Sequence, residues 1–526
     1  MAQLLRARDD SELCQRAVQE GFKPLSKHRP NTFAGDQLSL EVLRRRVERS
    51  NFVSTSAPLS TTTKTKAHEP HEYVCIVDAF STGACIAYEA SRRGYGIVHC
   101  LSLEPSEELA GMVPSHLRGV LPWATTLYVD TRAKDAAVAA QRLARELVGF
   151  VSQEKGTLVA IIPGAETGVK LADFLSAQVS FTNSKILTNG TRLTEARRNK
   201  ADMGDAVRAA GVRAVRQLRA TTWAPVQQWL QSWLAGPSFD EHRACDLIVK
   251  PLESAGSDGV TACVAVKDVK AAMEALVGKV NGLGLVNEGV LVQEFLRGTE
   301  YVVDGVSRDG EHKVVAVWEY DRRPTNGAGF VLHGQRLLGG GHSVVPLLLP
   351  YARSVLDALE VRHGPSHMEV KLTPTTNGAT RGDPCLVEVG ARCHGAEGFW
   401  MSVMDACCGT NQAVAALDAA VDSTRFEALP PLPPSTLRNA GCLKYLIVHA
   451  QGTLEAVDEN ALKAIKALPS YRGHEIFLTV GRAVVPTQNC FSWGGVVKLV
   501  NPTDAGLQKD YDAIERLCLN GLWRIV

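Results

Sequence analysis

The chain of 526 residues lacks several features that would point to a class of partner or chemistry. It lacks charge of one sign: 57 Lys and Arg stand against 56 Asp and Glu, a net of +1, which gives no electrostatic argument for nucleic acid or an anionic membrane as a partner. It lacks any run of about 18 apolar residues, so no membrane span is expected. The start, "MAQLLRARDDSELCQ", has early acidic residues and no apolar core segment, which argues against a signal peptide. It also lacks cysteine pairing. Thirteen cysteines are scattered without a CxxC pair or a Cys/His set at zinc spacing, and the adjacent Cys407 and Cys408 are poorly placed for a bridge. Reduced, mostly buried thiols in a cytoplasmic protein are the expectation.

What is present is ordinary in bulk and specific in places. Hydrophobic residues make up 45% and charged residues 21%, as in soluble globular proteins, and the length predicts three or four units. Residues 1–71 contain a helical pattern in "LSLEVLRRRVERSNF" and then a linker-like "STSAPLSTTTKTKAHEPHE"; they are read as an N-terminal extension. Ordered structure is expected from "EYVCIVDAF", an apolar strand followed by a Ser/Thr/Gly turn, a helix and a second strand in "YGIVHCLSL". That alternation continues in "TLVAIIPGAETGVKLADFLSAQ" and predicts an open parallel α/β sheet over 72–190. The loops "DAFSTG" and "PGAETG" follow strands, where such sheets bind ligands, although neither is a GxGxxG and both read equally as plain strand-to-helix turns.

The pattern changes near 191. "TEARRNKADMGDAVRAAGVRAV" reads as a charged helix, "VKDVKAAMEALVGKV" as another, and "GVLVQEFLRGTEYVVDGVSRDGEHKVVAVWEYDRR" as antiparallel strands. A Pro-rich stretch at 429–435, "LPPLPPS", precedes a last unit over 436–526 that reads as small and mixed α/β.

Three segments carry candidate chemistry, and each taken alone also has a bland reading. In "VKPLESAGSDGV", Lys250 ends an apolar strand and a small-residue loop with Gly256 and Gly259 follows; successive backbone N–H groups there can cradle phosphate oxygens beside the lysine charge. No G-K-[ST] follows, so it is not a Walker loop. In "VLVQEFLRGTEYVVDG", Gln293 and Glu294 end a strand that can face an adenine edge, and Glu300 can grip ribose hydroxyls; a surface hairpin with solvated acids fits as well. In "HMEVKLT", the pleat places His367, Glu369, Lys371 and Thr373 on one face, and "LVEVGAR" offers Glu388 and then Arg392. If the two polar faces coincide, the carboxylates converge and call for a cation, with Mg²⁺ the natural hard ion. Exposed hairpin glutamates are the bland alternative.

The order of these pieces is more specific than any one of them. "NKADM", "IVKPLESAGSDGV", "VQEFLRGTEYVVDG", "HMEVKLT" and "LVEVGARCHG" together resemble the ATP-grasp superfamily, in its carboxylate–amine (L-amino-acid) ligase branch, over about 190–420. The resemblance implies an α/β and α+β multidomain chain: a pre-ATP-grasp parallel α/β domain at 72–190, an ATP-grasp fold of two α+β subdomains at 191–428, and a small C-terminal α/β domain at 436–526. It implies ATP and Mg²⁺ (with Mn²⁺ as an alternative ion) and small-molecule carboxylate and amine substrates. Lys200 and Lys250 would contact nucleotide phosphates or the adenine edge. The stretch Ser254–Gly259, with Gly256 and Ser257, would form a lid loop. Gln293 and Glu294 would line the adenine pocket and Glu300 would hold ribose. Glu369 and Glu388 would bind the metal, and Arg392 would stabilise charge on the transferred phosphate.

Many relatives carry Asn two residues after the second glutamate, where this chain has Gly390. His394, Arg322 and Arg323 are substrate candidates. Trp318 and Tyr320 lie beside the latter two in sequence, and Phe399, Trp400 and Met401 read as core rather than a pocket wall. The chemistry implied is amide formation through an acylphosphate. The alternatives are an ATP-grasp carboxylase, for which no biotin-carrier segment is evident, and a nucleotide-binding regulatory protein without turnover.

Overall fold

The computed structural model describes residues 71–131, 136–234, 240–254, 257–282, 284–373 and 382–526; the N-terminal extension, all but its last residue, lies outside them. Four strands form the first sheet: β1 (Glu72–Val77), β2 (Gly96–Leu101), β3 (Trp123–Tyr128) and β4 (Thr157–Pro163), parallel and in the order β3-β2-β1-β4. β1 and β2 are almost wholly buried, because helices cover both faces of a parallel sheet and leave no polar side. The helix Val169–Ser180 and the amphipathic helix Ala136–Gln153 share one core cluster with the outward side of β1, while Thr82–Arg92 packs on the other side. The loops after β1 and β4 therefore leave the same, C-terminal edge of the sheet.

A second, four-stranded antiparallel sheet runs β5 (Gln217–Ala220), β8 (Val290–Glu294), β6 (Ala244–Pro251) and β7 (Thr261–Ala265). The helices Trp223–Trp233 and Val266–Leu276 bury their apolar stripes against it.

The third sheet has eight antiparallel strands. In sheet order they are β13 (Asp383–Gly390), β12 (Gly364–Thr373), β9 (Thr299–Arg308), β10 (Glu311–Thr325), β11 (Ala328–Leu338), β14 (Ala440–Leu446), β18 (Gly495–Asn501) and β16 (Tyr471–Ile476). The sheet thus continues across the Pro-rich stretch: β14 pairs with β11 through Gly334↔Lys444. One face packs on the helices Lys200–Ala209 and Val345–Ala358, and the other on Gln412–Val421 and Met401–Cys408. The remaining strands, β15 (Gly452–Val457), β17 (Ala483–Val484) and β19 (Trp523–Ile525), form a small separate sheet.

The expected charged helix begins only at Lys200, because Asn199 caps it by accepting from the N–H groups of Ala201 and Asp202. The described cysteines are all free thiols and most are buried, and no helix among the described residues is long and apolar enough to cross a membrane.

Candidate functional site

The second sheet faces strands β13, β12 and β9 of the third across a cleft that opens to solvent. Part of the lining is apolar: Ile248, Val260, Phe295, Leu296, Phe330 and Leu386. The rest is mainly polar and charged, and consists largely of residues expected from the sequence. Lys200, Lys250, Ser254, Ser257 and Gln293 line the cleft, as do Glu294, Glu300, Arg322, Glu369 and Glu388.

The hairpin β12–β13 supplies the carboxylates. Glu369 and Glu388 are direct partners across the two strands, so their side chains share a face. The register then slips: Val370 pairs with Leu386, leaving Val387 as an extra residue on β13. Simple alternation points Val387 away from Glu388, but the bulge turns it into the cleft, with its carbonyl 3.4 Å from Lys250 Nζ. Like charges held this close need cations. Lys200 Nζ sits 2.8 Å from Glu388 Oε2 and donates to the Ser254 carbonyl at 2.7 Å. Arg322 lies 3.6 Å from Glu369 Oε1 and donates to Glu300 Oε1 at 2.6 Å and to Ser257 Oγ at 2.9 Å. Lys371, two residues after Glu369 on the same face, stands 3.8 Å from Glu300 Oε2.

Burial favours the neutral form of Glu300 and raises its pKa, with Arg322 acting against that. For Glu369 the balance is reversed: burial is outweighed by His367 and Arg322, and the carboxyl is held below its usual range. Burial and the neighbouring Lys200 push the Lys250 ammonium down to about 8. Glu294 and Gln293 also line the cleft, the first paired with Arg216 at 3.1 Å and the second donating to Gln217 Oε1 at 2.8 Å.

A family model described as an ATP-grasp domain matches residues 244–395, which span β6 to the end of β13 and the Arg392 loop. The chain carries an ATP-grasp domain. Dapdiamide A synthase from Enterobacter agglomerans is 32% identical over 270 residues, 51% of this chain and 58% of that protein, so the match spans a little over half the length of this curated relative. Among solved structures, L-amino acid ligase from Bacillus licheniformis superposes with a TM-score of 0.62 at 17% identity, covering 88% of this chain and 99% of that one. Carboxyaminoimidazole ribonucleotide synthase from Aspergillus clavatus, complexed with ATP, superposes with a TM-score of 0.55 at 14% identity, covering 85% and 99%. Both share the fold, and most of the residues lining the cleft described above lie within the matched stretch.

Several expected site residues stand outside this cleft. Gly256 lies outside the described residues. Gly259 sits behind the loop, against Pro251 and Leu276. Arg323 points to the opposite face of β10, bonded to Asp321 at 2.6 Å. His394, expected to face substrate, is only 3% exposed: its Nδ1 is 2.9 Å from Asp304 Oδ2, and the rings of Trp318 and Trp400 seal it. Asp304 also holds His367 Nδ1 at 2.7 Å and accepts from Trp318 Nε1 at 2.8 Å, so two histidines and a tryptophan satisfy one buried carboxylate. Phe399 and Trp400 are core, as expected.

Arg392 lies beyond the two carboxylates, and its partner was not foreseen. Its Nε donates to Glu166 Oε2 at 2.7 Å; Glu166 also takes Arg198 at 2.8 Å. Burial works against ionised Glu166, but Arg392, Arg198 and Lys200 hold its pKa at about 2. Glu166 comes from "PGAETG", one of the two post-strand loops noted from sequence; its position in the sheet was readable, its arginine partners were not.

This pair explains Gly390. A Cβ there would lie 2.7 Å from Glu166 Oε2 and 3.1 Å from Arg392 Cζ. The space that an asparagine side chain would occupy is taken by an ion pair. Gly390→Asn is therefore expected to lower both Tm and turnover by displacing Arg392, rather than to add a metal ligand. A variant that binds Mg²⁺ more tightly at unchanged Tm would contradict this account.

Proposed function

We propose that the protein is an ATP-dependent carboxylate–amine ligase acting on amino-acid-like substrates through an acylphosphate. One observation carries the reading: two lysines, two facing carboxylates and Glu300 converge on a single, partly apolar cleft, and a buried arginine stands just past the carboxylates. A purine fits the apolar part of the lining near Gln293 and Glu294; Glu300 is placed for ribose hydroxyls, and Lys200 and Lys250 for phosphate oxygens.

The donor set suits Mg²⁺. Glu369 and Glu388 are paired oxygen donors whose charge is now balanced by Lys200 and Arg322, and both counter-cations are long side chains that can yield to an ion and turn to phosphate. When bound there, Mg²⁺ would offset charge on the phosphoryl oxygens. The substrate carboxylate oxygen attacks the γ-phosphorus, the bond to the β–γ bridging oxygen breaks, and ADP leaves. An amine nitrogen then attacks the acyl carbon, gives up a proton, and phosphate departs as the amide forms. Lys250 and Arg392 stabilise the charge that moves in both steps. No side-chain nucleophile is required.

The deciding assay couples ADP release to a matrix of amino acids and amines. ADP release that needs both a carboxylate and an amine supports the ligase; AMP release in its place sinks the acylphosphate route. Nucleotide binding without turnover across the matrix would favour a non-catalytic binder.

The lowered pKa of Lys250 gives a pH signature. Phosphate binds the charged ammonium, so affinity for Mg·ADP is flat below about 8 and falls as pH rises through that value, where the free protein loses the proton. Binding near pH 8 is accompanied by proton uptake, measurable by calorimetry in buffers of different ionisation enthalpy. Lys250→Met should bind more weakly and lose the slope; a slope retained in that variant would assign it to another group.

A further inference from the structure

The outer half of the β10–β11 hairpin forms one wall of the cleft, through Arg322 and Phe330. A two-stranded ribbon is marginal by itself, so what holds this wall matters. The hairpin is bulged: Asp321 pairs with Gly334 but Arg322 pairs with Leu332, so His333 is the extra residue. The bend this introduces is fixed from the side away from the cleft. His333 is 3% exposed, with Nδ1 at 3.1 Å from Glu515 and Nε2 at 2.8 Å from Thr325 Oγ1. Glu515, on the helix Asp504–Leu519, is also the partner of the buried Lys444 ammonium. From the same helix, the Tyr511 hydroxyl donates to Asp321 Oδ2 at 2.7 Å. That hydroxyl stands 2.4 Å from where a Cβ on residue 334 would lie, so the close approach requires glycine there.

The tip is held as firmly as the bend. Asn326, with φ of 52°, donates through Nδ2 to the carbonyls of Val448 and Thr487, both at 2.9 Å, and its own carbonyl accepts from Gln488 Nε2 at 2.9 Å. On the cleft side, Arg322 reaches Glu300, Glu369 and Ser257 of the loop after β6. Asp321 and Arg323, on either side of it in sequence, both face the 504–519 helix.

We propose that residues 440–519 act as a clamp on the β10–β11 hairpin, and that Asn326 and Tyr511 are positioning residues that set Arg322 against the nucleotide. The kinetic half of this inference rests on the ligase reading; the mechanical half does not. Residues that lie outside the cleft thereby decide whether Arg322 meets Glu300 and Ser257 in register.

The test uses the full chain with Asn326→Gly, which keeps the left-handed backbone and removes the side-chain bonds, combined with Tyr511→Phe. Hydrogen exchange at 320–331 is expected to speed up about 10-fold or more with little change in Tm, the signature of local opening. Mg·ADP affinity should fall about 3–10-fold, and the same pair of changes should cause no further loss in an Arg322→Met background, because all act through one group. Unchanged exchange, or losses that multiply in the Arg322→Met background, would overturn the clamp. Faster exchange in the variant, with no ADP release by the wild type on any carboxylate–amine pair, would keep the clamp and remove the ligase.

Discussion

Arg392→Met is expected to lower turnover about 10²–10³-fold, the cost of removing one donor to a developing oxyanion, while Mg·ADP affinity stays within about two-fold. The separation follows from placement. Arg392 is not among the residues lining the cleft; it stands beyond Glu388 and Glu369, tied to Glu166 and to the Cys393 carbonyl. Burial works against its charge, yet Glu166 and Glu388 keep it protonated and raise its pKa. The fold should survive the change. Deleting one member of a buried pair is costly when it strands the other, but Glu166 retains Arg198 at 2.8 Å. A single-turnover ADP assay beside an equilibrium titration separates the two quantities. Wild-type turnover in this variant would take Arg392 out of the chemistry.

Glu388→Gln is expected to be the more severe change, about 10³-fold or beyond in Mg²⁺-dependent turnover, since several kcal/mol of charge stabilisation depend on the ion it would hold. The ligand-free protein should not suffer. The amide keeps the shape of the side chain, relieves the repulsion with Glu369 across the strand pair, and leaves Lys200 its bond to the Ser254 carbonyl. The measurement is thermal: the wild type gains several degrees in Tm from saturating Mg·ADP, and the variant gains little beyond what Mg-free ADP provides. An undiminished Mg²⁺-dependent shift in Glu388→Gln would mean that the ion is held elsewhere.

The two changes probe parts of the site that differ in how far the sequence reveals them. Glu369, Glu388, Lys250 and Glu300 lie at strand ends or on one pleated face, where a period of two and the adjoining loop say which side a residue takes. Local pattern is enough for them. It fails at Val387, because a bulge is an interruption of the period and is set by what packs beneath the strand. It fails at His394 too. A histidine in a glycine-rich loop looks available to a substrate, but its burial is decided by Asp304, 90 residues earlier, and by Trp318 and Trp400. Arg322 and Arg323 are adjacent in sequence and serve opposite faces, one in the cleft and one toward Glu515.

By itself, then, the sequence determined the alternation of buried strands and capped helices that yields a parallel sheet followed by antiparallel ones, and the face on which the two metal-binding candidates lie. Those properties arise from near neighbours in the chain. Long-range packing, in contrast, set Glu166 against Arg392 from 226 residues away, placed Gly390 against that pair, and added β14, β18 and β16 to the large sheet. Each of these is a pairing of buried charge or backbone between distant segments. Such pairings are fixed by the need to satisfy every buried polar group at once, a condition on the whole fold that no local stretch can express.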